Sequence, residues 1–169
     1  AGGGGGGGDD SSSGGYYWTN ESQTGDAPMP RSEYAMAFCS YDNRTYLFGG
    51  SAGFGSTYND LWAWDGTSWQ HIDIVSGPEP SARTRSCMVY HEAAQQLIVF
   101  AGQCPVTMNS SDFFAETWHF DLNTKTWTNS SAINPPIARE TFAMCYDSTN
   151  RQVIMCGGWD GSGPLSDTW

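Results

Sequence analysis

Residues 31–50 have the sequence RSEYAMAFCSYDNRTYLFGG, and the chain contains this pattern three times. It returns as RTRSCMVYHEAAQQLIVFAG at 83–102 and as RETFAMCYDSTNRQVIMCGG at 139–158. Each copy begins with an arginine and ends with a doublet of small residues, and successive copies are offset by 52 and 56 residues. A period of this length indicates a repeat architecture in which each unit packs against its neighbours.

Each repeat predicts four short β-strands. In the first repeat the apolar segments are EYAMAF, TYLFGG, DLWAWD and WQHID. Such segments are bounded by Gly, Asn, Asp and Pro, which is typical of strands joined by turns. No segment has helical periodicity of useful length. The sequence therefore predicts an all-β fold.

The first strand of each repeat is apolar on both faces. In the first repeat Tyr34, Met36 and Phe38 share one face, and the small residues Ala35 and Ala37 share the other. Later repeats keep this alternation, with bulky Met88, Tyr90, Phe142, Met144 and Tyr146 and compact Cys87, Val89, Ala143 and Cys145. A strand with one face in water would alternate apolar with polar residues. The pattern therefore predicts sheets stacked face to face between copies of themselves, as in a propeller or related array.

Tryptophans recur in the same register as the arginines and glycines. Trp62, Trp118 and Trp169 align in the third strand, and Trp69 and Trp127 open the fourth. Trp18 aligns with Trp127, because Trp18-Thr19-Asn20 matches Trp127-Thr128-Asn129. Over residues 16–169 this pattern resembles the kelch-repeat family, and the resemblance implies a β-propeller of four-stranded blades. The repeat-structural residues that it implies are Gly49, Gly50, Gly102, Gly157, Gly158, Trp18, Trp62, Trp69, Trp118 and Trp127.

The repeats predict a partial ring, about three blades of a larger toroid. Residues 1–15 form a Gly/Ser-rich low-complexity linker, 16–30 the last strand of a preceding blade with its connection, 31–82 and 83–138 two kelch blades, and 139–169 an incomplete blade. A partial ring leaves two apolar blade faces in water, and burial contributes roughly 25 cal/mol per Å² against a total stability of about 5–15 kcal/mol. We therefore expect a segment of a longer polypeptide. Closure of the ring by copies of the chain is the alternative.

The small-residue doublet differs between repeats in one respect. Ala101 replaces the first glycine of the second doublet, whereas the second position is always glycine. Because alanine adopts positive φ at a cost, we expect the first position to require only small size. The second position is then the left-handed one.

Composition and charge exclude several classes of partner. The net charge is −11, and the seven Lys and Arg residues form no cluster, which argues against nucleic acid. No apolar run approaches the roughly 20 residues of a membrane span, so membrane insertion is not expected. Four Asn-X-Ser/Thr sequons favour a secreted or extracellular glycoprotein, although coincidence in a Ser/Thr-rich chain is the alternative. They lie at Asn20, Asn43, Asn109 and Asn129.

Five cysteines are compatible with secretion, but an odd number cannot pair completely within the chain. Four of them lie in apolar strand patterns, where a buried small hydrophobic residue is expected. Cys104 lies in a loop and is the residue expected to seek a partner.

Candidate binding residues lie in the long, variable loops between the second and third strands and between blades. Phe54, Phe113 and Trp159 are the aromatic candidates there. Arg31, Arg83 and Arg139 open each inner strand, and the kelch resemblance implies that such arginines surround the channel mouth and hold acidic peptides. The structural alternative is that they pair with neighbouring carboxylates such as Glu33 or Glu140.

The sequence offers little support for catalysis. His71, His91 and His119 lie in different layers of the repeat, and no metalloprotease, CxxC or calcium-loop motif is present. We therefore predict no catalytic residue, metal ligand or cofactor in this segment. The one enzyme that the resemblance admits is a secreted, galactose-oxidase-like copper radical oxidase, whose copper needs converging imidazoles and tyrosines.

The function favoured by the sequence is that of a structural or binding module in an extracellular kelch-propeller glycoprotein. Such a module would serve surface architecture, adhesion or assembly, with protein or glycan partners, copies of itself or the rest of a longer chain. The copper oxidase is one alternative. An intracellular kelch adaptor that binds acidic peptides is the other.

Overall fold

A computed structural model describes residues 18–21, 25–53, 55–104, 113–130 and 132–169. These residues form ten strands and one short 3₁₀ turn, Glu92–Ala94. The strands are β1 (Ala35–Cys39), β2 (Arg44–Phe48), β3 (Leu61–Trp64), β4 (Trp69–His71), β5 (Cys87–His91), β6 (Gln96–Phe100), β7 (Thr117–Asp121), β8 (Thr126–Ser130), β9 (Ala143–Asp147) and β10 (Gln152–Cys156). The predicted all-β class is confirmed.

The strands make three antiparallel sheets, one for each repeat. Blade A has the order β1-β2-β3-β4, blade B has β5-β6-β7-β8, and blade C has β9-β10. A third strand begins in blade C, where Thr168 forms a bridge to Cys156 and Trp169 exchanges two backbone hydrogen bonds with Met155. These are antiparallel partial kelch blades, as the repeat pattern predicts.

The sheets stack with the compact side of one inner strand against the bulky side of the next. Ala35 and Cys39 of β1 share a buried cluster with Met88 and Tyr90 of β5. The contact between blades B and C has the same form, with Cys87 packed beside Phe142 and Met144. The Cys87 thiol lies 3.0 Å from the Phe142 carbonyl oxygen. Neighbouring sheets of the array therefore pack through the predicted alternation of bulky and compact faces.

The array has an open apolar face at each end, as expected of a partial ring. On blade A this face consists of Tyr34, Met36 and Phe38, which are 42%, 45% and 57% exposed. No sheet lies on that side of blade A in the described part of the chain. Cys145 and Cys156 of blade C are exposed at the opposite end, contrary to the expectation that strand cysteines are buried. Burial here depends on a neighbouring blade and not on the strand itself.

The repeat tryptophans follow the same rule. Trp118 and Trp127 of blade B are buried, because blade B has a sheet on each side. As repeat-structural residues Trp62 and Trp69 of blade A would be expected in the core, but they are only partly buried. Trp18 is fully exposed, and the described residues of 16–30 form no strand. A fourth strand needs a third strand beside it, and the described residues place none there.

The expectation for the small-residue doublet is correct at its second position and wrong at its first. The second glycines Gly50, Gly102 and Gly158 have φ of 91°, 97° and 111°, as expected for a left-handed position. A Cβ at Gly102 would lie 2.7 Å from the Thr84 carbonyl oxygen, so space also excludes a side chain there. The first position is left-handed too, since Ala101 has a φ of 56°. Its alanine therefore accepts backbone strain.

Candidate functional site

The three repeat arginines are buried in nearly identical polar clusters. In blade B, Arg83 is completely buried. Its guanidinium group donates to the Ser81 carbonyl (3.0 Å), to the Ala101 carbonyl (3.1 Å) and to the Glu116 carboxylate (2.8 Å). The ring of Phe114 lies 4.1 Å from the guanidinium carbon, which is cation–π geometry. Every face of the guanidinium group is therefore occupied from within the chain.

Blades A and C repeat this arrangement. Arg31 pairs with Asp60 through contacts of 2.5 and 3.0 Å, donates to the Gly49 carbonyl at 3.0 Å, and stacks on Tyr58 at 4.0 Å. Arg139 is also completely buried and holds Asp167 in a two-point pair of 2.6 and 2.7 Å. Bidentate pairs of this kind are among the strongest charge-assisted contacts in proteins.

A tryptophan completes each cluster. The indole N–H of Trp62 donates to Asp60 (2.7 Å), that of Trp118 to Glu116 (2.8 Å) and that of Trp169 to Asp167 (2.7 Å). We call each set an Arg–carboxylate–Trp cluster. It ties the start of the inner strand to the start of the third strand and to the doublet carbonyl. The cluster is thus a cross-brace of the blade.

The cluster also fixes the ionisation of its acid. Burial raises the pKa of the Glu116 carboxyl, but hydrogen bonds from Arg83 and Trp118 and the Arg83 charge outweigh it and leave the pKa lowered. Burial opposes the ionisation of Asp60 in the same way, yet Arg31 and Trp62 leave its pKa lowered. Both acids therefore stay ionised and paired with their arginines at neutral pH.

This geometry corrects the expected role of the arginines. Arg31, Arg83 and Arg139 are covered and neutralised, so the structure argues against their holding an acidic peptide. Pairing with a carboxylate was the structural alternative, but Glu33 and Glu140 were the wrong partners. The true partners lie two residues before the third-strand tryptophan. The recurring acid-X-Trp pattern (DLW, ETW and DTW) was the sequence signal for them.

A polar cluster lies at the N-terminal ends of the inner strands, with Glu33, Arg85 and Trp159 exposed and Glu140 buried. Arg85 donates to Glu33 of blade A at 2.8–2.9 Å and to both oxygens of Glu140 of blade C at 3.0 Å. Glu140 in turn pairs with Trp159 through two backbone hydrogen bonds of 2.9 and 3.0 Å. We call Glu33, Arg85, Glu140 and Trp159 the mouth cluster. It joins all three blades on the long-loop side.

The backbone beneath the mouth cluster is also linked from blade to blade. Glu33, Arg85 and Thr141 occupy equivalent positions, and all have φ between 54° and 60°. The Arg85 N–H donates to the Glu33 carbonyl at 2.8 Å, and the Thr141 N–H donates to the Arg85 carbonyl at 3.3 Å. Non-glycine residues with positive φ tend to mark functional or strongly constrained sites. Sequence reasoning missed Arg85, because it has no counterpart arginine in the other repeats.

The predicted loop aromatics are distributed unevenly. Trp159 is 42% exposed and belongs to the mouth cluster. Phe113 is partly buried and forms a bridge with Gln103. Phe54 lies outside the described residues. The sequon asparagines Asn20, Asn43 and Asn129 are exposed, and Asn109 is also outside the described residues.

The three histidines have separate local partners. His71 contacts Asp73 at 3.0 Å, and His119 contacts Gln96 at 3.2 Å. His91 accepts the Ala94 N–H at 3.2 Å and stacks on Tyr146 at 4.7 Å. Within the described ranges no group of three His, Cys, Asp or Glu residues is arranged to hold a metal ion. The described residues also contain no helix that is long and apolar enough to cross a membrane.

Comparison with known proteins places these observations in a family. The model of the KLHDC2/KLHL20/DRC7 Kelch-repeats domain matches residues 13–169. The chain is 28% identical over 130 residues to the dynein alpha chain of the flagellar outer arm of Chlamydomonas reinhardtii, covering 70% of this chain and 3% of that protein. It is 29% identical over 136 residues to Adagio-like protein 1 of Oryza sativa subsp. japonica, covering 78% and 20%.

A third relative is matched over most of this chain. Host cell factor homolog hcf-1 of Caenorhabditis elegans is 29% identical over 168 residues, which cover 90% of this chain and 21% of that protein. The chain therefore spans only about a fifth or less of the length of these relatives. The family match covers the arginines, the doublets and the tryptophans that build the three blades. This chain belongs to the kelch-repeat family.

Proposed function

We propose that this chain is a protein-binding module and that its partner docks on the long-loop side at the mouth cluster. Kelch repeats are typical protein-interaction modules, and connecting loops held on a rigid scaffold are where binding residues concentrate. The observation that carries the proposal is the mouth cluster itself. The mouth cluster consists of an exposed tryptophan and an ion-pair network that spans three blades. The buried arginines brace these blades from beneath.

The charge distribution defines the kind of partner. Of the seven basic residues, Arg31, Arg83 and Arg139 are paired in the buried clusters. Arg44, Lys125 and Arg151 lie at the short turns on the opposite side. Arg85 is thus the one exposed cation of the long-loop side among the described residues, and two carboxylates contact it.

The long-loop side carries more exposed acid than base. Besides Glu33, the exposed residue Glu79 lies on the connection between blades A and B, and Asp160 follows Trp159. Complementary charge steers encounter and disfavours like-charged partners. We therefore propose a basic, aromatic-containing protein segment as the ligand, which departs from the acidic peptide that exposed arginines would have favoured.

A peptide selection tests this proposal although the natural partner is unidentified. A phage-displayed library of random peptides of about 12 residues is selected against the 169-residue chain. We expect enriched peptides to be basic, to contain an aromatic residue, and to bind more weakly as salt is raised. Glu33→Arg and Trp159→Ala are each expected to weaken binding at least about tenfold.

Glu92→Arg is the matched control. Glu92 is exposed on the short-turn side, so the same charge reversal there should leave binding unchanged within about twofold. Enrichment of acidic peptides, or equal sensitivity to Glu33→Arg and Glu92→Arg, would contradict the proposal. The melting curve of each variant, followed by circular dichroism, is measured first, so that loss of binding is not confused with loss of the fold.

Secretion and N-glycosylation are proposed on separate grounds. Three sequon asparagines are accessible to solvent, which an oligosaccharide requires. Mass spectrometry of the natural protein before and after enzymatic removal of N-glycans tests this. A mass decrease at Asn20, Asn43 or Asn129 supports an extracellular binding module, and unmodified sequons favour the intracellular adaptor.

A further inference from the structure

Arg85 is held differently from the repeat arginines. Its side chain is 40% exposed, whereas those of Arg83 and Arg139 are completely buried. Arg83 and Arg139 donate to backbone carbonyls as well as to an acid. Within the described ranges, the Arg85 side chain donates only to the carboxylates of Glu33 and Glu140. Arg85 is therefore a solvent-accessible cation that two acids retain.

The two carboxylates surround one guanidinium group from opposite sides. Nε and Nη2 of Arg85 lie 2.9 and 2.8 Å from the same oxygen of Glu33, on blade A. Nη1 lies 3.0 Å from both oxygens of Glu140, on blade C. All three nitrogens are thus used, and a planar guanidinium group provides this fork of donors whereas an ammonium group does not. We call the Glu33 and Glu140 carboxylates the guanidinium subsite.

The Arg85 side chain can leave the guanidinium subsite while its backbone stays in place. The Arg85 N–H donates to the Glu33 carbonyl at 2.8 Å, and the Arg85 carbonyl accepts the Thr141 N–H at 3.3 Å. Neither hydrogen bond involves the side chain. Arg85 also belongs to blade B, which packs against a sheet on each side, so both bonds lie within the array and not at its ends. Movement of the side chain therefore leaves the three blades linked.

Burial of Glu140 restricts what can replace Arg85. The Glu140 side chain is only 10% exposed, and a carboxylate so covered is costly to leave without a partner. A neutral or acidic ligand would displace Arg85 at that cost, whereas an arginine of the ligand would restore the pair. A lysine would restore the charge but not the fork of donors. Specificity of this kind comes from the penalty imposed on the wrong partner.

We propose that Arg85 fills the guanidinium subsite in the free protein and that an arginine side chain of the bound segment takes its place. The exchange replaces one ion pair by another and changes no covalent bond. Arg85 is then an internal competitor that sets the selectivity and lowers the affinity of the mouth cluster. This inference rests on the proposed function and names the basic residue of the ligand.

Two synthetic probes test the exchange, the amidated tripeptides Arg-Trp-Arg and Lys-Trp-Lys. Each is titrated into the wild-type chain, Arg85→Ala and Arg85→Gln, and the nitrogen-15 NMR signal of the Trp159 indole N–H reports binding. Arg85→Ala should bind the arginine probe about 5–30-fold more tightly than wild type, because the probe relieves the unpaired Glu140 carboxylate without displacing Arg85. Arg85→Gln should also gain affinity, and the lysine probe should gain less with both variants.

Arg151→Ala is the matched control for charge. Arg151 is exposed at the short turn between β9 and β10, so its loss changes the net charge equally but should alter binding by less than about twofold. Melting curves are measured first, and Arg85→Gln decides the test if Arg85→Ala does not fold.

The failure of this inference is distinguishable from that of the proposed function. If wild type binds the probes while both Arg85 variants bind them equally or more weakly, Arg85 positions the two acids and the inference is overturned, but the proposed function stands. An equal gain with Arg151→Ala, or with the lysine probe, would also overturn the inference. Absence of binding to every protein in the series would overturn both.

Discussion

Replacing Glu116 by alanine removes the acid of the blade B cluster and leaves Arg83 charged and completely buried. The variant loses a 2.8 Å ion pair and the 2.8 Å hydrogen bond from the Trp118 indole. Breaking a fully buried pair costs about 3–5 kcal/mol, whereas exposed pairs contribute about 0–1 kcal/mol. The Glu116 side chain is 39% exposed, so the expected loss lies between these limits, at about 2–3 kcal/mol.

Urea or thermal unfolding followed by circular dichroism measures this loss. For a chain of this size the expected decrease in melting temperature is about 4–12 °C. Asp73→Ala is the control, since the Asp73 side chain is 96% exposed beside His71, and its expected cost is below about 0.5 kcal/mol. Equal melting temperatures for the two variants would show that the cluster does not brace the blade.

The pH dependence of the same variant provides a second check. The folded-state pKa of Glu116 is lowered from its ordinary value of 4.5. Its contribution is therefore complete above about pH 4.5 and declines as pH falls through the lower folded-state pKa. The difference in stability between wild type and Glu116→Ala should shrink over that interval. A difference that grows on acidification would contradict the pairing.

Three further outcomes are expected. Gly102→Ala should destabilise the chain by about 2–4 kcal/mol in urea unfolding, because the new Cβ would lie 2.7 Å from a backbone oxygen. Ala101→Gly should change stability by less than about 1 kcal/mol. Similar losses in the two variants would contradict this distinction. Burial and then Cys39 raise the pKa of Tyr90 from 10.0 to about 12, so stability should decline between these pH values, and Tyr90→Phe should reduce that decline in alkaline melting curves. Arg85→Ala should cost about 1–2 kcal/mol, since the Arg85 side chain is 40% exposed but its loss leaves the Glu140 carboxylate, only 10% exposed, without its partner. A loss in urea larger than that of Glu116→Ala would make the mouth cluster a structural element.

The fold was predictable because its signals are local and occur three times. Alternating bulky and compact residues in β1, β5 and β9 predicted the stacking of the sheets, and the glycine doublets predicted the left-handed turn after each second strand. Ala101 shows where this reasoning fails. A substitution tolerated in one repeat was interpreted as freedom from positive φ, but the surrounding hydrogen bonds hold alanine in that conformation as well.

The candidate site was less predictable because its contacts connect different parts of the sequence. Arg83 and Glu116 are 33 residues apart, and the nearer acids suggested other partners. Arg85 contacts carboxylates 52 and 55 residues away on two other blades, so no window within one repeat contains the mouth cluster. Exposure of Trp18, Met36 and Phe38 depends on what lies beside an open face, which strand periodicity alone does not encode.

Hydrogen exchange at the arginine side chains tests the bracing role of the buried clusters most directly. The chain has six arginines, and the Nε–H groups of Arg31, Arg83 and Arg139 donate to the backbone carbonyls of Met29, Ser81 and Ile137. Nitrogen-15 NMR should therefore show three slowly exchanging Nε–H signals, and Glu116→Ala should accelerate the exchange of Arg83. Exchange as rapid as that of Arg44 and Arg151, together with signal shifts when an acidic peptide is added, would instead make these arginines the ligand-binding residues.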